Sequence, residues 1–497
     1  MGEAKRSKET PEAPLSVIVL GASGDLARKK ILPALFSLFC QKLLPPRFQV
    51  FGFSRTALSD GEFREKVSKN LTCRYVPGES CAEYVEDFLS RCFYVSGEYD
   101  SPDAFLELYR KMAATESSRV VNRMFYMAIP PFLFLDVSHA LGSAGFVKCG
   151  PSDTGWSRAV IEKPFGRDSE SSRILVAEMA KVFSEAQTFR IDHYLGKEVI
   201  QNLLVLRFAN LVFEPIWNRE YVQNVQVSFK EDFGVGDRGG YFEDYGIVRD
   251  VMQNHLLEMT ALVAMERPAS LSSRDVRNEK VRVLRAVPPL GIQDLVLGQY
   301  QGVRKNDTAY PSYTEERGIR AGSITPTYAA AVLAVKNPRW DGVPFLLRAG
   351  KALDARMTEI RVQFRSTPDS IFVEAAPVLP PNALVIRVQP DEAIYFEIVN
   401  KTPGLRMSLE KAPLDLRYAS TFRKTIPDAY ELLLLDVVQG DKSLFIREDE
   451  LSAAWDIFTP ALREIEREAI RPEPYEFGSK GPQAADTLAR RYGTEWR

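Results

Sequence analysis

Residues 16–20 (SVIVL) form a short apolar run that passes directly into Gly21-Ala22-Ser23-Gly24-Asp25, then into a helical pattern through Ile31, Leu32, Leu35 and Leu38. A strand apolar on both faces must be covered on both, which is the position of a parallel strand between layers of helices. Glycines in the turn let the backbone double back and approach a pyrophosphate, which the N–H groups opening the next helix can hold. An ordinary βα turn shares such glycines, but the strand–turn–helix setting at the head of a βαβ unit favours a phosphate loop. The pattern then repeats. Strands are expected at 49–53, 93–96, 124–129 and 159–162, and helices near 103–114, 132–141 and 169–183. Ser59-x-x-Glu62 reads as a capping box that opens one more helix. This alternation predicts a doubly wound parallel α/β domain over residues 15–192.

The rhythm changes after residue 192. Residues 222–229 (VQNVQVSF) and 360–364 (IRVQF) alternate apolar with polar, and 384–388 and 394–399 also read as strands. Period-two runs without intervening helices indicate an antiparallel or mixed sheet with one covered face. Helices expected near 247–264, 428–439 and 449–469 could cover it. The second region, 193–497, therefore reads as a large α+β domain with a mostly antiparallel sheet. The 497 residues, 45% of them apolar, suffice for two such domains.

The charge balance removes two classes of partner. With 64 Lys+Arg against 66 Asp+Glu, a net charge of −2 offers no global attraction to nucleic acid or to an anionic membrane. An anionic ligand must be held by a local cluster of cations. No run approaches the ~20 apolar residues of a membrane span. Residues 1–14 (MGEAKRSKETPEAP) are polar, lack the apolar stretch of a signal peptide and are expected to be a disordered tail. Five cysteines (Cys40, Cys73, Cys81, Cys92, Cys149) without a C-x-x-C pair indicate reduced thiols in a cytosol-like compartment. Three histidines, His139, His193 and His255, are too few for a His-rich metal centre, so no metal is expected.

Three local patterns carry chemistry. The second strand ends in Ser54-Arg55, where an NAD site usually has an acidic residue. A hydroxyl beside a guanidinium suits a 2′-phosphate and favours NADP, although a solvated loop arginine would look the same. In Asp192-His193-Tyr194-Leu195-Gly196-Lys197-Glu198, a helix would put His193 and Lys197 on one face as an anion site, or simply be a capped helix with a surface lysine. In Arg249-Asp250-Val251-Met252-Gln253-Asn254-His255, Asp250 and His255 are five apart, roughly 140° around an α-helix, so they need not pair. His255 would then need a carboxylate from elsewhere to serve as a base, and a structural helix histidine remains the alternative. His139 has no polar company and reads as structural.

Taken together, GASGDLA, Ser54-Arg55, EKPFG at 162–166, RIDHYLGKE at 190–198, GGYFEDYGIVRDVMQNHL at 239–256 and LRAGKALDAR at 347–356 resemble the glucose-6-phosphate dehydrogenase family, in order and over nearly the whole chain after the tail. The resemblance implies a Rossmann-like NADP-binding domain, a substrate-binding and oligomerisation domain, and oxidation of glucose 6-phosphate to 6-phospho-D-glucono-1,5-lactone, the first step of the oxidative pentose phosphate pathway. It implies that His255 is the general base, oriented by Asp192. His193, Tyr194 and Lys197 would hold the phosphate, Lys351 and Arg356 would add substrate contacts, and Glu231 and Asp250 would accept from sugar hydroxyls. Lys163, at a strand's carboxyl end before Pro164, would bridge sugar and cofactor. Gly21, Ser23, Gly24, Asp25, Leu26, Arg55, Ala128, Pro130 and Pro131 would line the cofactor. The family forms homodimers and homotetramers, and a cytoplasmic location is expected. Some members hold a second, structural NADP with a lysine directly after the position of Arg356. Met357 stands there, and although Arg361 and Arg387 remain, Lys480 replaces an arginine and the end after Tyr492 is short, so no tightly bound structural NADP is expected. Two alternatives make different demands. Another sugar oxidoreductase on the same plan would not need His193 with Lys197, and a non-catalytic dinucleotide-binding module would not need His255 or Lys163.

Overall fold

Six strands, β1 (Leu15–Leu20), β2 (Phe48–Ser54), β3 (Cys92–Ser96), β4 (Asn122–Met127), β5 (Ser157–Ile161) and β6 (Thr188–Ile191), build a parallel sheet in the order β3-β2-β1-β4-β5-β6. The chain reverses its direction of travel between β1 and β4, and the crevice outside the carboxyl ends of those strands is where such sheets bind dinucleotides. This computed structural model describes residues 13–116, 120–146, 155–305, 308–368, 371–372, 379–422 and 424–497. The expected N-terminal tail, but for its last two residues, and Cys149 lie outside the described residues.

The apolar composition of β1 follows from its place, since all six of its residues are buried. Alternate side chains feed opposite faces. Ile18 and Leu20 join Phe51, Phe53, Phe125 and Met127 on one side, while Val17 and Val19 join Val50, Met124 and Tyr126 on the other. The helix Asp60–Ser68 opens on the expected capping box, with Ser59 and Glu62 each accepting from the other's backbone N–H. A seventh strand, Phe445–Ile446, comes from far along the chain and pairs antiparallel with β6. The helix Ala429–Gln439 precedes it, and its Leu433, Leu434 and Val437 pack with Leu35 and Phe36 on one face of this sheet.

The second sheet has nine strands. From one edge they run Leu409–Arg417, Ala393–Lys401, Ala383–Gln389, Met357–Phe364, β7 (Val222–Lys230), Pro344–Gly350, Tyr328–Ala334, Leu295–Gln301 and Glu473–Glu476. All neighbours are antiparallel except β7 with Pro344–Gly350 and the last pair, so the sheet is mostly antiparallel, as expected. Where one helix was expected over 247–264, three segments follow one another. Gly239–Ile247 breaks at Gly246, whose φ of 64° is left-handed. Val248–Leu256 is π-helical, and Leu257–Ala264 returns to α.

The cysteines require a correction. Cys73 and Cys81 are disulfide-bonded, with Cα atoms 5.8 Å apart, rather than reduced. A tight turn at Gly78–Ser80 and the start of the helix Cys81–Ser90 return the chain over a separation of 8 residues, and no C-x-x-C spacing advertises it. Cys40 and Cys92 are free and buried, and burial pushes their thiols up to about 11 and about 12.

Candidate active site

Asp192 lies just beyond β6 and Lys163 just beyond β5, on the carboxyl edge that also carries the glycine turn after β1. Facing them is the π-helical segment. Its i→i+5 bonding stacks residues five apart, so Asp250 and His255 lie on one side of it, and the 140° separation expected for an α-helix does not apply. His255 is fully inside, with Nδ1 2.5 Å from Asp192 Oδ1, and both residues are 2% exposed. The same oxygen accepts from the Tyr194 N–H at 2.9 Å. With Asp192 ionised, the contact needs a proton on Nδ1 of His255, which leaves Nε2 as the acceptor.

Burial opposes the charged form of both partners. For Asp192 it raises the pKa, but the attraction of the imidazole overrides it and the carboxyl rests at about 2. For His255 burial prevails over the pull of Asp192, and the ring titrates below its ordinary 6.5. Burial also holds His193 well below that value, with His255 adding to the effect.

His193 and Lys197 meet without the helix expected of them. Residues 193–196 are a turn, and the helix Glu198–Ala209 starts only after Lys197, its extended N-cap. The turn places Tyr194 between the two, with its ring centroid 4.9 Å from the His193 ring and 5.1 Å from the Lys197 ammonium. Lys197 Nζ donates to Gln389 Oε1 at 3.2 Å, and burial lowers its pKa. Arg356 bears electrostatically on both Lys197 and Tyr194, which puts a second cation beside Lys197 at this end of the cleft.

The other end is lined by pairs of opposite charge. Lys351 donates to Glu231 Oε2 at 2.5 Å, and its ammonium lies over the rings of Phe233 and Phe242. Lys163 donates to the Asp250 carbonyl and, at 3.2 Å, to Asp250 Oδ1. Burial would raise the Asp250 pKa, but Lys163, Arg238 and Lys351 hold it well below the usual carboxylate range. Sequence reading missed Gln389, Thr358, which lies 3.4 Å from the Tyr194 hydroxyl, and Arg238. Each stands at or beside the end of a strand or helix, with no periodicity to mark it.

On the cofactor side, Gly21 has φ of 86°, and a Cβ there would lie 2.2 Å from the Ala128 carbonyl oxygen, so only glycine fits. Gly24 N–H donates to Gly21 O at 2.9 Å. Ser23 Oγ bonds to the hydroxyls of Ser54 and Thr56 at 2.9 and 3.1 Å. Arg55 is exposed beside them, over the Tyr99 ring. Asp25 is tied to Arg28 and Lys29, Leu26 enters the first helix, and Pro130 and Pro131 open a turn after Ala128-Ile129. Lys163, just beyond β5, stands in strand order between this loop and Asp192. His139 is half-exposed near Glu178 and away from the cleft. Asp192, His193 and His255 bring possible metal-ligating atoms within 4.8 Å of one another, but two of these groups are already joined in the 2.5 Å hydrogen bond.

A sheet wound in this order, with a glycine turn at its reversal point and a buried Asp–His pair on the same edge, defines a two-domain dinucleotide-binding oxidoreductase. The NAD binding domain of glucose-6-phosphate dehydrogenase matches residues 18–202, and its C-terminal domain matches residues 204–497. The chain belongs to the glucose-6-phosphate dehydrogenase family. It is 53% identical over 492 residues to the chloroplastic glucose-6-phosphate 1-dehydrogenase of Spinacia oleracea, covering 98% of this chain and 84% of that one. The cytoplasmic form 6 of Arabidopsis thaliana is 46% identical over 490 residues, covering 96% and 91%. A solved glucose-6-phosphate dehydrogenase in complex with its substrate glucose 6-phosphate superposes with a TM-score of 0.89 at 41% identity, over 98% of this chain and 99% of that one. Among the described residues no helix is long and apolar enough to cross a membrane.

Proposed function

We propose that this protein oxidises glucose 6-phosphate at C1 to 6-phospho-D-glucono-1,5-lactone, with NADP as acceptor. The observation that carries the reading is the buried Asp192–His255 pair beside a cluster of His193, Lys197 and Arg356. The substrate named for the solved relative agrees with it. When bound, NADP supplies the acceptor for the C1 hydride. His255 Nε2 takes the C1 hydroxyl proton, and Asp192 fixes the ring tautomer and offsets the charge the imidazolium gains in a dry site. A histidine titrating below 6.5 is present as the free base at neutral pH. His193, Tyr194, Lys197 and Arg356 hold the 6-phosphate. Glu231, Asp250 and Lys351 receive the sugar hydroxyls, and Lys163 bridges sugar and cofactor.

The glycine turn fits a dinucleotide, since Gly21, at a left-handed φ and packed against the Ala128 backbone, lets the chain double back from β1 into a helix whose N-terminus would meet the pyrophosphate. Gly21, Gly24 and the first helical residues, Asp25 and Leu26, would hold the pyrophosphate, Ser23 and Arg55 the 2′-phosphate, and Ala128, Pro130 and Pro131 would line the cofactor on its other side. NADPH formation by the purified protein with glucose 6-phosphate tests the reading. Equal turnover of free glucose at the same concentration would overturn it.

The same reading makes the protein a homodimer or homotetramer through its second sheet. The edge strand Leu409–Arg417 and the loop before it expose Leu405, Met407 and Leu414, which supports this, and sedimentation as a monomer would contradict it. A cytoplasmic location belongs to the same proposal: the 46% identical relative is cytoplasmic and supports it, whereas the 53% identical relative is chloroplastic. Co-fractionation of antigen and activity with an organelle would refute that location.

A further inference from the structure

Glu162 directly precedes Lys163, is buried and takes no part in the chemistry above. Successive residues at a strand end turn to opposite faces. Lys163 therefore reaches Asp250, while Glu162 accepts at 2.5 Å from the Tyr126 hydroxyl of β4. Tyr430, at the start of the helix Ala429–Gln439, hydrogen-bonds to the same carboxyl. Its ring stacks on His193, with centroids 6.0 Å apart and planes at 10°. His193 in turn meets the His255 ring edge-on at 4.8 Å. The helix start also presses on the His193 turn, because a Cβ on Gly196 would lie 2.7 Å from the Ala429 carbonyl oxygen. Burial raises the Glu162 carboxyl to about 7, against the two phenols, which lower it.

We infer that Glu162 is a positioning residue for the phosphate end of the cleft: it fixes the Tyr430 ring as the platform that sets His193 toward the 6-phosphate. Ionised or protonated, the carboxyl keeps one hydrogen-bonding oxygen against each phenol, so the three groups orient one another. Glu162→Gln keeps the shape but turns one acceptor into a donor. Tyr430→Phe keeps the platform ring but frees it from the carboxyl. The inference rests on His193 and Lys197 being the phosphate ligands, as proposed above.

The test assays Glu162→Gln, Tyr430→Phe and the double variant with glucose 6-phosphate and with free glucose, which lacks the phosphate. Each single variant should raise KM for glucose 6-phosphate about three- to tenfold, the scale of one hydrogen bond lost behind the ring. Its kcat and its slow turnover of free glucose should be unchanged. The double variant should be no worse than the stronger single, because both act through one chain of contacts. Equal losses on both sugars, or additive effects, would overturn the inference. If Glu162→Gln fails to fold, Tyr430→Phe alone decides. Lys197→Ala separates the two levels of the argument. If it erodes the preference for the phosphorylated sugar while Glu162→Gln and Tyr430→Phe do not, the positioning role is refuted and the phosphate reading stands. If it leaves the preference intact, the phosphate reading itself fails.

Discussion

Asp192 and His255 are buried to the same degree, yet burial moves them in opposite directions and a single contact decides which of them carries charge. The sign of the pH dependence follows. The base form of His255 exists above its pKa, and burial has lowered that pKa below 6.5. The acid limb of kcat/KM should therefore have its midpoint below that value, and a midpoint above it, read from a pH–rate profile, would contradict the proposed state of the base. On the cofactor side, Arg55→Ala should reduce the preference for NADP over NAD about 10- to 100-fold, the worth of one charge-assisted contact. Unchanged discrimination in initial-rate assays would remove Arg55 from the 2′-phosphate site. Both sites were legible as residues. The glycine turn and Ser54-Arg55 stand beside strands whose apolar runs announce them, whereas Gln389 and Thr358 have no local signature at all.

At the scale of elements, the parallel strands were legible because burial on both faces writes a continuous apolar run. The same property hid Tyr328–Ala334 (YAAAVLA) and Pro344–Gly350 (PFLLRAG), which lie mid-sheet without the alternation that marked their neighbours. The π-helical segment was not legible, since i→i+5 bonding has no compositional mark, and that is why Asp250 and His255 were set apart on an assumed α-helix. Behind this segment, Lys280 lies 2.7 Å from Glu258 and 2.5 Å from Glu450, all three buried, joining the helices Leu257–Ala264, Ser273–Arg285 and Glu448–Glu468. Lys280→Met would take the shared cation away from two buried carboxyl groups, of which Glu258 is already pushed up by burial and by Glu450, and should cost about 3–5 kcal/mol, read as an earlier urea midpoint. An unmoved midpoint would show that the ion pairs add nothing. In the second sheet, Arg361 donates to Glu397 at 2.8 and 2.9 Å, Lys411 shares that carboxylate, and Arg387 faces Glu359. Those cations are already engaged, and Met357 supplies none. Extensively dialysed protein should release no more than one NADP per subunit on denaturation, and a clear excess would contradict this.

Across the whole molecule, the site exists because distant segments converge. The carboxyl ends of β5 and β6, the π-helical segment and the ends of strands in the second sheet each contribute, and Ala429–Gln439 with Phe445–Ile446 returns to complete the first sheet. No local pattern announces that return, nor the Cys73–Cys81 bond, because pairing is decided by where the chain folds back. What these segments deliver to one point is a buried imidazole with its acceptor nitrogen turned away from Asp192. The most direct test of that account is single-turnover NADPH formation from glucose 6-phosphate, comparing wild type with His255→Asn. The expected result is a rate about 10²–10⁴-fold lower, the usual worth of a positioned base, with the dissociation constant for glucose 6-phosphate largely kept. A variant as fast as wild type would show that His255 is not the base.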